Sequence, residues 1–242
     1  MNAQAPALQF ETLTKRYGEK EAVSSLSLTV ASNTTFGLVG ANGAGKTTLI
    51  KCLLDFCGVD SGRISVFGLP ATDTRARARL AFLPERFVPP YYLTGQDFLQ
   101  FMASMYGSAF DVEACITILA DLDLDRDVLA SPVRALSKGM TQKLGLAGCL
   151  LSARDLLVLD EPGSGLDPKA RALFKSALKQ ARSAGRTIFL TSHTLADVDE
   201  VCDRIAVLHE GGLRFTGSPA ELKDRHKTST LEQAFLKCIG ET

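Results

Sequence analysis

The segment Gly40-Ala41-Asn42-Gly43-Ala44-Gly45-Lys46-Thr47-Thr48 constrains this chain more than any other. It follows an apolar run at residues 34–39, precedes a helical run at 49–54, and fits the spacing G-x-x-x-x-G-K-[ST]. Glycines at these places let the backbone curl so that successive N–H groups and a helix N-terminus converge on an anion. Lys46 adds a mobile positive charge, and Thr47 a hydroxyl suited to a Mg²⁺ that bridges phosphates. A chain of this length matches the spacing by chance about once in a hundred, before the flanking strand and helix are required. The expectation is a nucleotide-binding loop in an α/β fold.

A second motif strengthens the first. The strand-like run Leu156–Leu159 ends in Asp160 and Glu161. Adjacent carboxylates point to opposite sides if strand geometry persists, so that Asp160 serves Mg²⁺ and Glu161 polarises an attacking water. Continuous apolar runs at 156–159 and 187–190 alternate with helical patterns, as a parallel sheet covered on both faces requires. Residues 24–30 carry the alternation of a half-buried strand. Asp167 and Pro168 suit a cap and first helical position, and the helix they open is expected to stop at Gly185. Ser229 and Glu232 fit a capping box for a terminal helix ending near Gly240. The arginines at 75, 77 and 79 are expected to lie on a solvated helix face.

Composition excludes several classes. Twenty-seven basic and 27 acidic residues cancel, so no global charge draws the chain to nucleic acid or anionic lipid. Six cysteines without a CxxC pair, and histidines without ligand spacing, predict reduced thiols and no zinc site. The N-terminal residues lack a signal-peptide pattern. The longest apolar stretch, residues 144–151, is far shorter than the roughly 18 residues that cross a bilayer. Any membrane role is therefore expected to come through another polypeptide.

Leu136-Ser137-Lys138-Gly139-Met140 resembles the signature peptide of ATP-binding-cassette (ABC) ATPases. The likeness extends to Lys15-Arg16-Tyr17-Gly18, similar to the family's aromatic loop, to Ser164-Gly165-Leu166-Asp167, similar to its D-loop, and to Thr191-Ser192-His193, similar to its switch histidine. The resemblance implies a P-loop NTPase (RecA-like) core sheet with an N-terminal antiparallel β region and an inserted α-helical subdomain. One cassette would then fill residues 1–242, with the core at 1–84 and 155–228, the helical subdomain at 85–154 and a C-terminal helix at 229–242. It further implies ATP and Mg²⁺ as ligands, Tyr17 stacked on adenine, and His193 acting with Glu161 and Lys46 at the γ-phosphate. Ser137 and Gly139 would meet the phosphate of a partner cassette, in a homodimer or paired assembly. The implied partner is an integral-membrane permease on a separate chain, placing the protein at the cytoplasmic face of the membrane. No nucleic acid is expected.

Three positions depart from the family pattern. Glu85, in Leu83-Pro84-Glu85, replaces the usual glutamine, and its carboxylate either strengthens the hold on Mg²⁺ or raises a neighbouring pKa. Lys138 and Met140 replace the usual glycine and glutamine of the signature. The combination with the tail at residues 230–237 resembles cassettes of exporters. A soluble ABC-type ATPase of translation or DNA repair is the alternative. The interval between Thr47 and Leu136 is too short for a repair-type coiled coil, and the chain carries one cassette where translation-type members carry two.

Overall fold

A computed structural model describes residues 5–240. Residues 1–4 and 241–242 of the expected core and terminal helix lie outside the described residues. The chain opens with the antiparallel strands β1 (Leu8–Tyr17) and β2 (Lys20–Val30), then enters β3 (Thr35–Val39) and the helix α1 (Lys46–Leu53). Strands β4 (Ser61–Val66) and β5 (Leu69–Pro70) return to the first sheet, which runs in the order β2-β1-β4-β5. A short helix α2 (Thr74–Arg77) leads into β6 (Leu80–Leu83).

The next elements are helical. They are α3 (Gly95–Met105), α4 (Val112–Asp121), the 3-10 turns Arg126–Leu129 and Val133–Ala135, and α5 (Lys138–Leu151). Strand β7 (Leu156–Leu159), helix α6 (Pro168–Ser183), strand β8 (Thr187–Ser192) and helix α7 (Leu195–Val201) then resume the α/β alternation. Strands β9 (Arg204–His209) and β10 (Gly212–Gly217) and helices α8 (Pro219–His226) and α9 (Leu231–Gly240) finish the chain.

The second sheet is ordered β10-β9-β3-β8-β7-β6, with parallel pairing throughout except at β9–β10. Its strands read as unbroken apolar runs because both faces are covered. Alternate residues divide between two cores. Val39, Leu157, Leu159, Ile188, Leu190 and Val207 face the helices α5 to α9, whereas Leu38, Val158, Phe189, Ala206 and Leu208 face α1 and the antiparallel sheet. The fold is the α/β class expected, with an antiparallel sheet beside a sheet of parallel strands. Phe189 is fully buried and stacks on Phe36 at 6.1 Å, with Phe10 at 6.4 Å.

Caps behave as local chemistry dictates. Asp167 accepts the Ala170 N–H at 2.9 Å with Pro168 in the first turn, and Gly185, at φ +89°, follows the end of α6. At α9 the cap sits one residue later than expected, since Thr230 Oγ1, and not Ser229, accepts the Gln233 N–H at 3.3 Å. The tail helix lays Leu231 and Ala234 into the core. The arginine run is not a plain solvated face. Arg75 pairs with its helix cap Asp73, Arg77 reaches Asp55, and Arg79 bonds Asp155 at 2.7 Å while lying 3.7 Å from the Phe67 ring centroid.

Truncating the buried ring that joins the two sheets leaves a void neither can fill. Phe189→Ala is therefore expected to cost about 3–5 kcal/mol, read as a lower denaturation midpoint in urea with little change in slope.

Candidate nucleotide site

The parallel strands β3, β7 and β8 end at one edge of the second sheet, where an open α/β sheet builds its ligand site. A cleft of about 470 Å³ lies there, lined by Tyr17, Lys20, Ala22, Asn42, Gly43, Gly45, Lys46, Thr47, Thr48, Glu85, Asp160, Glu161 and His193.

The glycine loop has the curvature its sequence predicts. Gly43 and Gly45 take φ of +81° and +110°, which a side chain rarely tolerates. A Cβ on Gly45 would meet the Ala22 carbonyl at 2.3 Å, and one on Gly40 the Leu208 carbonyl at 2.4 Å. Ala44 is buried, its N–H donating to the Ala41 carbonyl at 3.1 Å. Helix α1 begins at Lys46 without a side-chain cap, so its first N–H groups are left to an anion or to water. The Lys46 ammonium is buried and donates to the Gly40 and Ala41 carbonyls at 2.7 and 3.3 Å.

The two carboxylates do not point to opposite sides. Strand β7 stops at Leu159, and Glu161 adopts φ +48°, a left-handed conformation costing about 1–3 kcal/mol that turns both side chains towards the same cleft. The Thr191 hydroxyl donates to Asp160 Oδ1 at 2.6 Å and accepts the Glu161 N–H at 2.9 Å. His193 approaches from the end of β8. Its N–H donates to Glu161 Oε2 at 3.1 Å, and its Nδ1 lies 2.7 Å from the same oxygen. An ionised carboxylate only accepts, so that contact places a proton on Nδ1. The Glu161 side chain is 10% exposed and the His193 ring 63%, so an exposed ring rests on a nearly buried acid.

Burial holds the Asp160 pKa above the usual carboxylate range, aided by the negative charges of Glu161 and Glu85 and opposed by the Thr191 hydrogen bond and Lys46. Glu85 thus acts on a neighbouring pKa as well as lining the cleft. Thr47, Asp160 and Glu85 offer oxygen donors of the kind Mg²⁺ prefers. Among the described residues no cluster of three His, Cys, Asp or Glu side chains could hold a metal alone. The donor set therefore suits Mg²⁺ that arrives with phosphates rather than one caged by protein.

Other residues singled out in the sequence lie outside this cleft. Ser137 caps α5, accepting the Met140 N–H at 3.2 Å, while Leu136 and Lys138 line a second groove. Gly139 packs close to the Gly165 carbonyl, so the signature peptide lies beside the loop ending in Asp167. Sequence reasoning missed the double role of Thr191 and the presence of Lys20 and Ala22 in the lining. A hydroxyl inside the apolar run 187–190 and its extension was the available signal for Thr191.

The fold and cleft define an α/β protein of the P-loop nucleotide-binding class. The family model described as ABC transporter matches residues 23–164, and the chain belongs to that family. It is 39% identical over 206 residues to an uncharacterised ABC transporter ATP-binding protein of Synechocystis sp., covering 84% of this chain and 58% of that one. It is 36% identical to the Nod factor export ATP-binding protein I of Ralstonia nicotianae, covering 90% of this chain and 68% of the relative. The chain thus spans about three fifths to two thirds of the length of these curated relatives. A solved ATP-binding subunit of an ABC transporter superimposes with a TM-score of 0.89 at 27% identity, covering 96% of this chain and 99% of that one. Among the described residues no helix is long and apolar enough to cross a membrane.

Asp160 is more easily protonated folded than unfolded, so its ionisation opposes folding progressively as pH rises through its raised folded pKa. Asp160→Asn keeps an acceptor for Thr191 and removes the charge. The nucleotide-free variant is expected to be more stable than wild type at neutral pH, with the difference shrinking as pH falls through the raised folded pKa of Asp160 and gone below the ordinary carboxylate value of about 3.9. Thermal unfolding across that range checks the sign.

Proposed function

We propose that this chain binds ATP with Mg²⁺ and hydrolyses it as the motor of an ABC exporter, working as a pair of cassettes on a separate membrane permease. The cytoplasmic face of the membrane follows as its place. The observation that carries the hydrolytic reading is Glu161, nearly buried, fixed by Thr191 through its N–H and by His193 at its carboxylate, in the same cleft as the glycine loop.

In this reading the loop amides at residues 42–48 and the α1 N-terminus take the phosphate oxygens, and Lys46 exchanges its bonds to the Gly40 and Ala41 carbonyls for phosphate. Tyr17, half exposed at the end of β1, offers the aromatic platform for the base. Thr47 and Asp160 would hold Mg²⁺, with Glu85 adding charge, and the ion would supply neutralising charge to the phosphates. Glu161 accepts a proton from the attacking water, and His193 steers that carboxylate and reaches the γ-phosphate. Ser137 and the Gly139 amide, at the opening of α5, serve the phosphate of the partner cassette, with the Asp167 loop packed beside them. A pair of chains completes what one cleft lacks.

The export direction draws support from the relatives, several of which are named as Nod factor export ATP-binding proteins. Which compound is moved would be decided by the permease helices. A groove of about 450 Å³, lined by Glu85, Phe87, Val88, Tyr91, Leu136 and Gln142 among others, supports a docking place for the permease. Tyr91 of this lining and its neighbour Tyr92 stand 68% and 71% exposed, edge to face at 5.7 Å.

Glu161→Gln keeps the size and the acceptor for His193 while removing the base. Steady-state hydrolysis should fall at least about a hundredfold, with ATP retained and an ATP-dependent dimer accumulating on gel filtration. Turnover close to wild type would take the role away from Glu161. Tyr91→Ala combined with Tyr92→Ala should lose the permease during affinity purification from membranes. Undiminished recovery would move the docking surface elsewhere.

A further inference from the structure

A cysteine pair lies behind the aromatic wall of the cleft. Cys52 sits in the last turn of α1, the helix that Lys46 opens, and Cys57 lies in the bend just beyond it. Asp55, at φ +60°, reverses the chain so that the two sulfurs come within 3.5 Å. The Tyr17 phenol donates to Cys57 Sγ at 3.7 Å, tying the pair to the residue assigned to the base.

The geometry points to an oxidative modification site: Cys52 and Cys57 form a disulfide by exchange with a low-molecular-weight disulfide, and its closure weakens nucleotide binding by withdrawing the sulfur that fixes Tyr17. The link to nucleotide rests on the reading of Tyr17 as the base platform. Disulfide formation itself does not.

The chemistry divides between the two thiols. Cys57 is half-buried beside the exposed Phe56, whereas Cys52 is 4% exposed. Burial, with the hydrogen bond to Cys57, pushes the Cys52 thiol up to about 12. Cys57 therefore makes the first attack, as thiolate on the external disulfide, forming a mixed disulfide and releasing one small thiol. Cys52 then attacks the Cys57 sulfur, loses its proton to solvent and displaces the second small thiol, so two thiols are oxidised and one disulfide is reduced. Proximity offsets the scarcity of the Cys52 thiolate.

An S–S bond of about 2.0 Å requires the sulfurs to close by roughly 1.5 Å. Helix α1 is anchored by buried Leu49, Ile50 and Leu53, so the movement falls on Cys57 and its exposed bend. Tyr17 would keep the hydroxyl of Thr48 and the Lys15 ammonium, 5.3 Å from its ring centroid, but lose the sulfur. Cys115, Cys149 and Cys202 are buried and shielded from the same oxidant.

The test uses the purified full chain with oxidised glutathione. Trypsin cuts after Lys51 and Arg63, so both cysteines fall in one peptide. The disulfide appears there as resistance to alkylation with loss of two hydrogens. ATP and inorganic tripolyphosphate are titrated before and after oxidation. Oxidation is expected to weaken ATP binding by about threefold to tenfold, as partial loss of a base stack implies, and to leave tripolyphosphate unchanged. Dithiothreitol should reverse the effect, Cys57→Ser should show no change on oxidation, and Cys52→Ser should stop at the mixed disulfide on Cys57 with no internal disulfide formed. Absence of the disulfide overturns the proposal, as does a formed disulfide with ATP affinity unaltered or with both ligands weakened alike. A reduced chain that binds ATP no better than tripolyphosphate, seen before any oxidant is added, would instead remove Tyr17 from the base and with it the link to nucleotide.

Discussion

The Thr191 hydroxyl donates to Asp160 and accepts from the Glu161 backbone, joining strands β7 and β8 where both run out. An ionised group carried by a fully apolar strand is costly unless its oxygens are satisfied. Strand β7 is buried at every position, so Asp160 and Glu161 emerge from a fully apolar strand. One hydroxyl steadies the first carboxylate directly and the second through its backbone. That bond meets the N–H of the left-handed Glu161, and beyond it the two acids line one cleft. His193 needs the same registry, because it reaches Glu161 from two residues beyond Thr191.

Registry of this kind is set by the sheet. Leu159 pairs with Leu190 and Val39 with Ser192, so the glycine loop, the acids and the histidine all leave the sheet at one level. Each strand divides its residues between two cores, and a slip of one residue would move every apolar side chain to the wrong layer. Packing thereby fixes distances among polar groups that hydrogen bonds alone could not hold. The glycines answer to the same geometry from the other side. Gly40 and Gly45 touch backbone of β9 and β2, so the loop is pressed between both sheets and cannot carry side chains there.

Local rules carried much of this into the sequence. The glycine loop, the Asp167 cap with Pro168 and the apolar runs of β3, β7 and β8 each depend on residues within one or two turns of chain, which is why they were readable. The expectation that Asp160 and Glu161 diverge assumed that β7 continued. It failed because β7 ends at Leu159 and Glu161 turns out of the strand at φ +48°, its N–H bonded to Thr191, thirty residues away in sequence. The cap of α9 shifted from Ser229 to Thr230, where two neighbouring hydroxyls offer similar chemistry and the docking of Leu231 decides. The arginine run could not be resolved from spacing, since Asp55 and Asp155, its partners, come from distant segments. Cys52 and Cys57 gave no ligand pattern, and only the bend at Asp55 brings them together.

Glu85 lines both the nucleotide cleft and the groove that holds Tyr91, and it is the residue these two linings share. A glutamine there would offer hydrogen bonds alone. A carboxylate adds a field, and that field already raises the pKa of Asp160. Coulomb energy varies inversely with distance and rises steeply when water is excluded, so a small displacement of residues 85–91 changes the electrostatic cost of ionised Asp160. An occupant of the groove that displaced Glu85 would therefore alter the ionisation of Asp160 without touching it. By reciprocity, a cation stabilising the ionised Asp160 and Glu85 would favour the loop position that keeps them close. Coupling between the two surfaces can thus rest on one charge at their boundary, with Thr191 and β7 supplying the rigidity against which it acts.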